Sequence, residues 1–165
     1  MSRLPPHALF DNAQQVRASG LSLNLICQQY PVHSWCRLVE KGGQLQFLFL
    51  DPAGGAIKRR EQEEGYPPGH LSALTELNIQ TLTKRVRDQL PTDVRDRVIL
   101  AVYDDTIRLN LIIIDDSLCV MQPYLPAARG VDSPTFVLER AEIPGGLFAT
   151  FEQVFSSLWE RAEPI

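Results

Sequence analysis

The sequence lacks an excess of positive charge, and this argues against one broad class of function. Its 165 residues carry 16 lysines and arginines against 20 aspartates and glutamates, giving a formal net charge of −4. Proteins that bind nucleic acid through its phosphates usually need a clustered basic surface. The one basic run, residues 58–60, is followed at once by Glu61, Glu63 and Glu64, so it is charge-balanced. We therefore expect no direct contact with nucleic acid.

Long apolar runs and paired cysteines are also missing. No stretch approaches the ~20 apolar residues of a membrane span. The opening MSRLPPHALF lacks the pattern of a signal peptide. The three cysteines, Cys27, Cys36 and Cys119, are odd in number and show no CxxC spacing, so they suggest neither a disulfide framework nor a zinc site. We expect an unprocessed cytoplasmic protein with no membrane association, metal or cofactor.

Length and an apolar content of 44% predict one compact domain over residues 1–165. Hydrophobic spacing predicts its elements in order. Helices are predicted over 8–18, 32–43, 70–90 and 145–162, and strands over 21–29, 44–52, 97–105, 106–116, 117–125 and 134–141. The early strand–helix–strand order indicates parallel strands, and the turn at 115–117 indicates an antiparallel hairpin. The fold class predicted is α/β, with a mixed sheet flanked by helices on both faces.

Residues 51–70 are the least hydrophobic part of the chain, and they predict a mobile connection with at most one helical turn. Because it follows a predicted parallel strand, the connection could border a ligand crevice. It could equally be a tolerated surface insertion. Both interpretations stay open at this point.

Polar side chains interrupt the apolar strand IRLNLIIIDD, residues 107–116. The period of two places Arg108 and Asn110 on one face together with two isoleucines, and both faces are predicted to be buried. A buried polar group without partners costs several kcal/mol, so each must be hydrogen-bonded or line a cavity. Arg108 could point outward or pair with a nearby aspartate. Alternatively, it converges on an anionic or polar ligand together with Asn24, Gln122 and Tyr124.

The spacing Arg108-x-Asn110-x-x-x-x-Asp115 resembles the HxKxxxxD motif of the phospholipase D superfamily, with Arg for His and Asn for Lys. The stretches YPPGHLSALTELN, DDSLCVMQPYLPAARGVDSPTFVL and LFATFEQVFSSLW resemble a bacterial phospholipase D-like domain of unassigned function, often found behind a helix-turn-helix module. The resemblance implies a phospholipase D-like half-domain over nearly the whole chain. In such a half-domain Asp115 anchors the hairpin.

The same resemblance bears on chemistry and assembly. The family nucleophile is the motif histidine, whereas arginine stays protonated and asparagine brings no charge. We therefore do not expect phosphodiester cleavage by the family mechanism. Members with a single motif pair as homodimers, which implies that two Arg108 and two Asn110 side chains meet across a two-fold axis. The leading hypothesis is a catalytically degenerate homodimer that binds a small anionic or polar ligand in a sensor or regulatory role.

Two further hypotheses remain. In the first, an enzyme with altered chemistry uses Arg108 and Asn110 to orient its substrate, while His33, Tyr124 or an aspartate moves a proton. In the second, the chain is an interaction subunit whose strand polar groups pair internally. The loop carrying Arg129 and Ser133 ranks next as a source of ligand contacts. The aspartate pairs at 104–105 and 115–116 occupy predicted turns, so no metal site is expected.

Overall fold

The computed structural model describes residues 4–129 and 132–165. The described residues form an α/β domain built on a mixed sheet. Its strands are β1 (Gln15–Gly20), β2 (Gln44–Leu50), β3 (Val98–Tyr103), β4 (Leu109–Ile114), β5 (Leu118–Pro123), β6 (Phe136–Glu139) and β7 (Glu163–Pro164). Its helices are α1 (Pro6–Phe10), α2 (Asn24–Gln28), α3 (Val32–Glu40), α4 (Gly55–Glu63), α5 (His70–Arg85) and α6 (Leu147–Trp159). The predicted fold class is confirmed.

Within the described residues the strands form one seven-stranded sheet in the order β6-β5-β4-β1-β2-β3-β7. Strands β1, β2 and β3 are parallel, while β4, β5, β6 and β7 join antiparallel to their neighbours. The predicted hairpin is present between β4 and β5. Asp115 and Asp116 have φ angles of 50° and 51°, the positive φ that type I′ turns need at both central residues, and Ser117 completes the connection between Ile114 and its partner Leu118.

The first third of the chain differs from the prediction. Residues 15–18, predicted as the end of the first helix, belong instead to the strand β1, which pairs with β2 on one side and β4 on the other. Val16 and Ala18 are fully buried, so pairing on both sides of β1 outweighs the helical spacing of Val16 with Leu9 and Ala13. Residues 21–29, predicted as a strand, form a turn and the short helix α2. Leu23 takes a left-handed conformation with φ of 51° and ends the extended path.

The prediction of a mobile connection with at most one helical turn over residues 51–70 is also wrong. Its residues 55–63 make the nine-residue helix α4, which buries Ala56 and Ile57 against the sheet. Two of its charged residues, Arg60 and Glu61, are only 3% and 2% exposed. The charged run is therefore only partly solvated: Lys58, Arg59 and Glu63 are exposed, whereas Arg60 and Glu61 are buried and satisfied inside the protein.

The core lies on both sides of the sheet. Helices α2, α3 and α5 cover one face with a cluster that includes Trp35 and Phe47, whose rings lie 5.5 Å apart. Helices α4 and α6 cover the other face, where Phe148 and Phe155 are buried. Among the described residues, no helix has the length and apolar character needed to cross a membrane.

Candidate functional site

Two amide side chains lie side by side where β4 begins and β5 ends. Asn110 and Gln122 are partners in the register of these two antiparallel strands. The parallel strand β1 ends beside them at Gly20, and the chain then turns through residues 21–23 into α2. The carboxyl end of a parallel strand is the usual place for a ligand in an α/β sheet. A cavity of about 400 Å³ opens at this point.

The cavity is lined by side chains of the sheet, the turn after β1, two helices and a loop. Five residues singled out in the sequence share it: Asn24, Asn110, Gln122, Tyr124 and Arg129. The other lining residues are Leu21, Ser22, Leu23, Leu25, Gln28, Gln29, Glu64, Tyr66, His70, Leu71 and Leu74. Five leucines supply the apolar part of the wall, and convergent polar groups complete it, a combination that small-molecule sites use.

Gly20 makes room for the floor of this cavity. A Cβ added at Gly20 would lie 2.9 Å from Oδ1 of Asn110 and 3.0 Å from Cδ2 of Leu23. Such contacts are too close for both side chains to stay in place, so only glycine permits the observed approach of β1 to Asn110.

An amide network forms the wall between α2 and α5. Asn78 is 2% exposed, and its Nδ2 donates to the backbone oxygen of Ser22 at 2.7 Å and to Oδ1 of Asn24 at 2.8 Å. The hydroxyl of Ser22 donates to the same Oδ1 at 3.2 Å, and Nε2 of Gln28 donates to Oδ1 of Asn78 at 3.3 Å. Sequence reasoning missed Asn78, because a polar residue in a long helix normally indicates its solvent face.

The floor continues with Tyr124, which is half-buried. Its hydroxyl accepts a hydrogen bond from the backbone N–H of Leu21 at 3.3 Å. Burial raises the pKa of Tyr124 to about 12, so the phenol is neutral near pH 7. Beside it, Nε2 of Gln122 donates to the backbone oxygen of Ser133 at 3.0 Å. The side chain of Ser133 is buried and does not line the cavity.

The rim carries aromatic rings and charge. The rings of Tyr66 and His70 are stacked with centroids 4.5 Å apart, and the guanidinium of Arg129 lies 5.5 Å from the centre of Tyr66. Glu64 also lines the cavity, but its carboxylate is paired with Nε of Arg60 at 2.6 Å. The carboxylate of Glu64 is thus paired, whereas Arg129 is exposed and carries a positive charge.

Arg60 joins α4 to the loop that carries Arg129. Besides the pair with Glu64, Nη1 of Arg60 lies 3.1 Å from Oε2 of Glu63. Its Nη2 donates to the backbone oxygens of Leu125 and Ala128 at 3.1 and 2.7 Å. The same guanidinium lies 5.2 Å from the centre of the Tyr124 ring. One buried side chain thus fixes the loop against the floor of the cavity.

Glu61 fixes the start of α5, the helix that carries His70. Its carboxylate accepts hydrogen bonds from the backbone N–H groups of Gly69, Leu71 and Ser72 at 2.9, 2.8 and 3.1 Å. Burial alone would raise the pKa of Glu61, but these donations outweigh it and hold the pKa below its ordinary value. Neither Arg60 nor Glu61 could be recognised in the sequence, since buried charges look the same there as exposed ones.

Arg108 does not share the cavity with Asn110, and the expectation that both form one floor is wrong. Its side chain is exposed, with Nη1 3.5 Å from the backbone oxygen of Thr106, and it lines a separate groove of about 430 Å³ beside α6. The expectation of burial fails because Arg108 stands just before the first residue of β4. Of the nearby acids, Asp105 is paired with Arg161 at 3.1 Å.

The other predicted residues lie elsewhere. His33 lines a third cavity of about 580 Å³, with Asp11 and Tyr30, remote from the amide floor. Asp115 sits in the β4–β5 turn, and its Oδ1 accepts hydrogen bonds from the backbone N–H groups of Gln14 and Gln15, both at 2.8 Å. Among residues 4–129 and 132–165, no group of three or more His, Cys, Asp or Glu side chains could hold a metal ion.

Solved structures define the class of this domain. Nuc from Salmonella typhimurium, a phospholipase D family member, matches with a TM-score of 0.54 and 10% identity, covering 97% of this chain and 88% of that one. Phosphatidylserine synthase from Haemophilus influenzae Rd KW20 matches with a TM-score of 0.63 and 16% identity, covering 95% of this chain and 35% of that one. These likenesses establish a phospholipase D-like fold, as the resemblance in sequence predicted.

The particular family follows from the sequence as a whole. Residues 1–165 match the family described as "Domain of unknown function (DUF5919)", and the chain belongs to that family. No curated protein matches the chain.

Proposed function

We propose that this chain is a single phospholipase D-like domain that binds a small polar or anionic molecule, in a sensor or regulatory role. The observation that carries the proposal is the cavity of about 400 Å³ whose floor is formed by Asn110 and Gln122 from adjacent strands. The amides and the neutral phenol make this floor polar and uncharged, and the arginine Arg129 at the rim adds one positive charge suited to an anion.

The cavity offers little support for phosphodiester cleavage by a strand-borne nucleophile. The strand positions that face it carry Asn110 and Gln122, whose amides are not nucleophiles. Arg108 stands in the groove beside α6 and remains protonated. Binding without turnover by the family mechanism is the function that these side chains favour.

A thermal-shift screen of phosphorylated, acidic and neutral polar metabolites tests this proposal. A ligand at 100 times its Kd stabilises the folded state by about 2.7 kcal/mol, which corresponds to a rise in Tm of about 5–10 °C for a domain of this size. The rise should persist in Arg108→Gln, whose side chain lies outside the cavity, and disappear in Asn110→Ala. A response that is lost in Arg108→Gln and kept in Asn110→Ala would place the site in the other groove and refute the proposal, as would no response to any compound.

We extend the proposal to a homodimer, in line with the resemblance to single-motif members of the superfamily. The exposed side chain of Arg108, which lies outside the cavity, is available for an isologous contact between two chains. Sedimentation equilibrium should give twice the monomer mass, and Arg108→Glu should shift the equilibrium. A monomer at all micromolar concentrations tested would refute this part alone.

An enzyme with altered chemistry is the second candidate, and the position of His70 favours it. This imidazole lines the cavity and stacks on Tyr66, whereas His33 and Arg108 lie outside it. Tyr124, with its raised pKa, is poorly suited to accept or release a proton near pH 7. In this candidate His70 moves the proton, so His70→Gln should abolish turnover while binding persists. Turnover that survives His70→Gln would exclude this version.

A further inference from the structure

A backbone carbonyl fixes the orientation of one buried amide beside the cavity. The oxygen of Ser22 can only accept a hydrogen bond, and it lies 2.7 Å from the side chain of Asn78. The atom facing it must therefore be the nitrogen of Asn78. Because Asn78 is 2% exposed, water does not compete for this contact.

This orientation fixes two more amides in turn. The same nitrogen of Asn78 lies 2.8 Å from the amide of Asn24, so the group presented by Asn24 must be its oxygen. The hydroxyl of Ser22 donates to that oxygen as well. On the other side, the oxygen of Asn78 accepts from the nitrogen of Gln28. The network consequently engages the oxygen of Asn24 and the nitrogen of Gln28.

The opposite atoms of these two side chains stay outside the network. They are the donor Nδ2 of Asn24 and the acceptor Oε1 of Gln28, and both residues are exposed and line the cavity. Asn24 and Gln28 are four positions apart on α2, so they lie on one face of that helix. Rotating either amide would place like atoms together and lose a hydrogen bond to a buried partner.

We propose that Asn24 and Gln28 recognise an uncharged donor–acceptor edge of the ligand, such as a carboxamide, a ureide or the edge of a nucleobase. Asn24 binds the ligand's acceptor, Gln28 binds its donor, and Asn78 is the positioning residue that holds both. The negative charge of Glu64 is already paired with Arg60, so Arg129 is the charged group left at the rim for an acidic substituent. This inference rests on the function proposed above and narrows the class of ligand.

The substitution Asn24→Asp tests this proposed recognition with little change in the shape of the side chain. The carboxylate keeps an oxygen for Asn78 and Ser22, but it replaces the outward donor by an acceptor. Isothermal titration with adenosine, cytidine and nicotinamide should reveal binding of at least one probe to the unmodified protein, weakened by at least about tenfold in Asn24→Asp. The control Asn12→Asp makes the same charge change in the cavity that holds His33 and should leave the affinity within about twofold.

Inorganic phosphate and citrate distinguish failure of the inference from failure of the proposed function. Binding of these anions alone, with no response to the neutral probes, overturns the inference and leaves the proposed function standing. Absence of binding by every compound tested overturns both. Equal affinity of a neutral probe for Asn24→Asp and the unmodified protein also overturns the inference.

Side-chain amide spectra test the positioning role of Asn78 without any ligand. Both protons on its nitrogen are hydrogen-bonded in a buried site, so they should exchange with water much more slowly than those of Asn24. In Asn78→Asp, neutral-probe binding should fall, because the carboxylate cannot donate to Asn24. Equal exchange rates for Asn78 and Asn24, or unchanged probe affinity in a folded Asn78→Asp variant, would overturn the role assigned to Asn78.

Discussion

Replacing Arg60 by methionine should destabilise the domain far more than the same change one position earlier. The Arg60 side chain is 4% exposed and is paired with Glu64, whose own side chain is 6% exposed. Methionine fills a similar volume but removes the positive charge and its donations to the loop carbonyls of Leu125 and Ala128. The main effect is a nearly buried carboxylate left without a partner.

The size of the loss follows from these contacts. Removing one partner of a buried ion pair costs about 3–5 kcal/mol. The lower end applies here, because Glu64 borders a cavity that admits water and both loop carbonyls can be hydrated. We expect a loss of about 3 kcal/mol in the free energy of unfolding, which lowers Tm by about 6–12 °C.

Urea unfolding followed by circular dichroism measures this loss. The control Arg59→Met changes an exposed residue of the same helix and should stay within about 0.5 kcal/mol of the unmodified protein. Adding Glu64→Gln to Arg60→Met should recover part of the stability, since it removes the unpaired charge. A loss below about 1 kcal/mol in Arg60→Met, or equal losses in Arg60→Met and Arg59→Met, would refute the assignment of Arg60 as a buried anchor of the loop.

Two further predictions concern the supports of the site. Glu61 has a pKa held below its ordinary value of 4.5, so its contribution to stability is complete above that value and is lost as the pH falls through the lowered pKa. In Glu61→Gln the urea midpoint should therefore fall less steeply between pH 5 and the acid limit of folding than it does in the unmodified protein. The control Glu63→Gln, at an exposed residue, should leave this dependence on pH unchanged. If Glu61→Gln also leaves the dependence of the urea midpoint on pH unchanged, the role of Glu61 is contradicted. Gly20→Ala should displace Asn110 and cost about 1–3 kcal/mol, measured by urea unfolding. At Gly55 an added Cβ would lie 3.3 Å from the flexible end of Arg59 and 3.9 Å from a carboxylate oxygen of Asp104, so Gly55→Ala should cost less. Equal costs would count against the close packing at Gly20.

Elements with strong local patterns could be predicted from the sequence. The helix starting at His70 and the hairpin at Asp115 and Asp116 have apolar spacing and turn residues that agree with their final structure. Strand β1 could not be predicted in this way. Its residue Val16 also fits a helical stripe with Leu9 and Ala13, and only the neighbouring strands β2 and β4 decide between the two.

Some residues of the candidate site could be predicted from the sequence, because their type departs from the local pattern. Asn110 and Gln122 stood out as polar residues in apolar strands, and the structure brings them together. Arg108 met the same criterion but lies at a strand end, where its long side chain reaches solvent. Asn78 and Arg60 could not be singled out, because polar and charged residues in helices are usually exposed, and their burial depends on contacts distant in the chain.

Nuclear magnetic resonance mapping with a compound that binds tests the central claim most directly. If the cavity at the ends of β1, β4 and β5 is the ligand site, the largest shifts should fall on the side-chain amides of Asn24, Asn110 and Gln122. Shifts concentrated around Arg108 in the groove beside α6, or around His33 in the third cavity, would contradict the account.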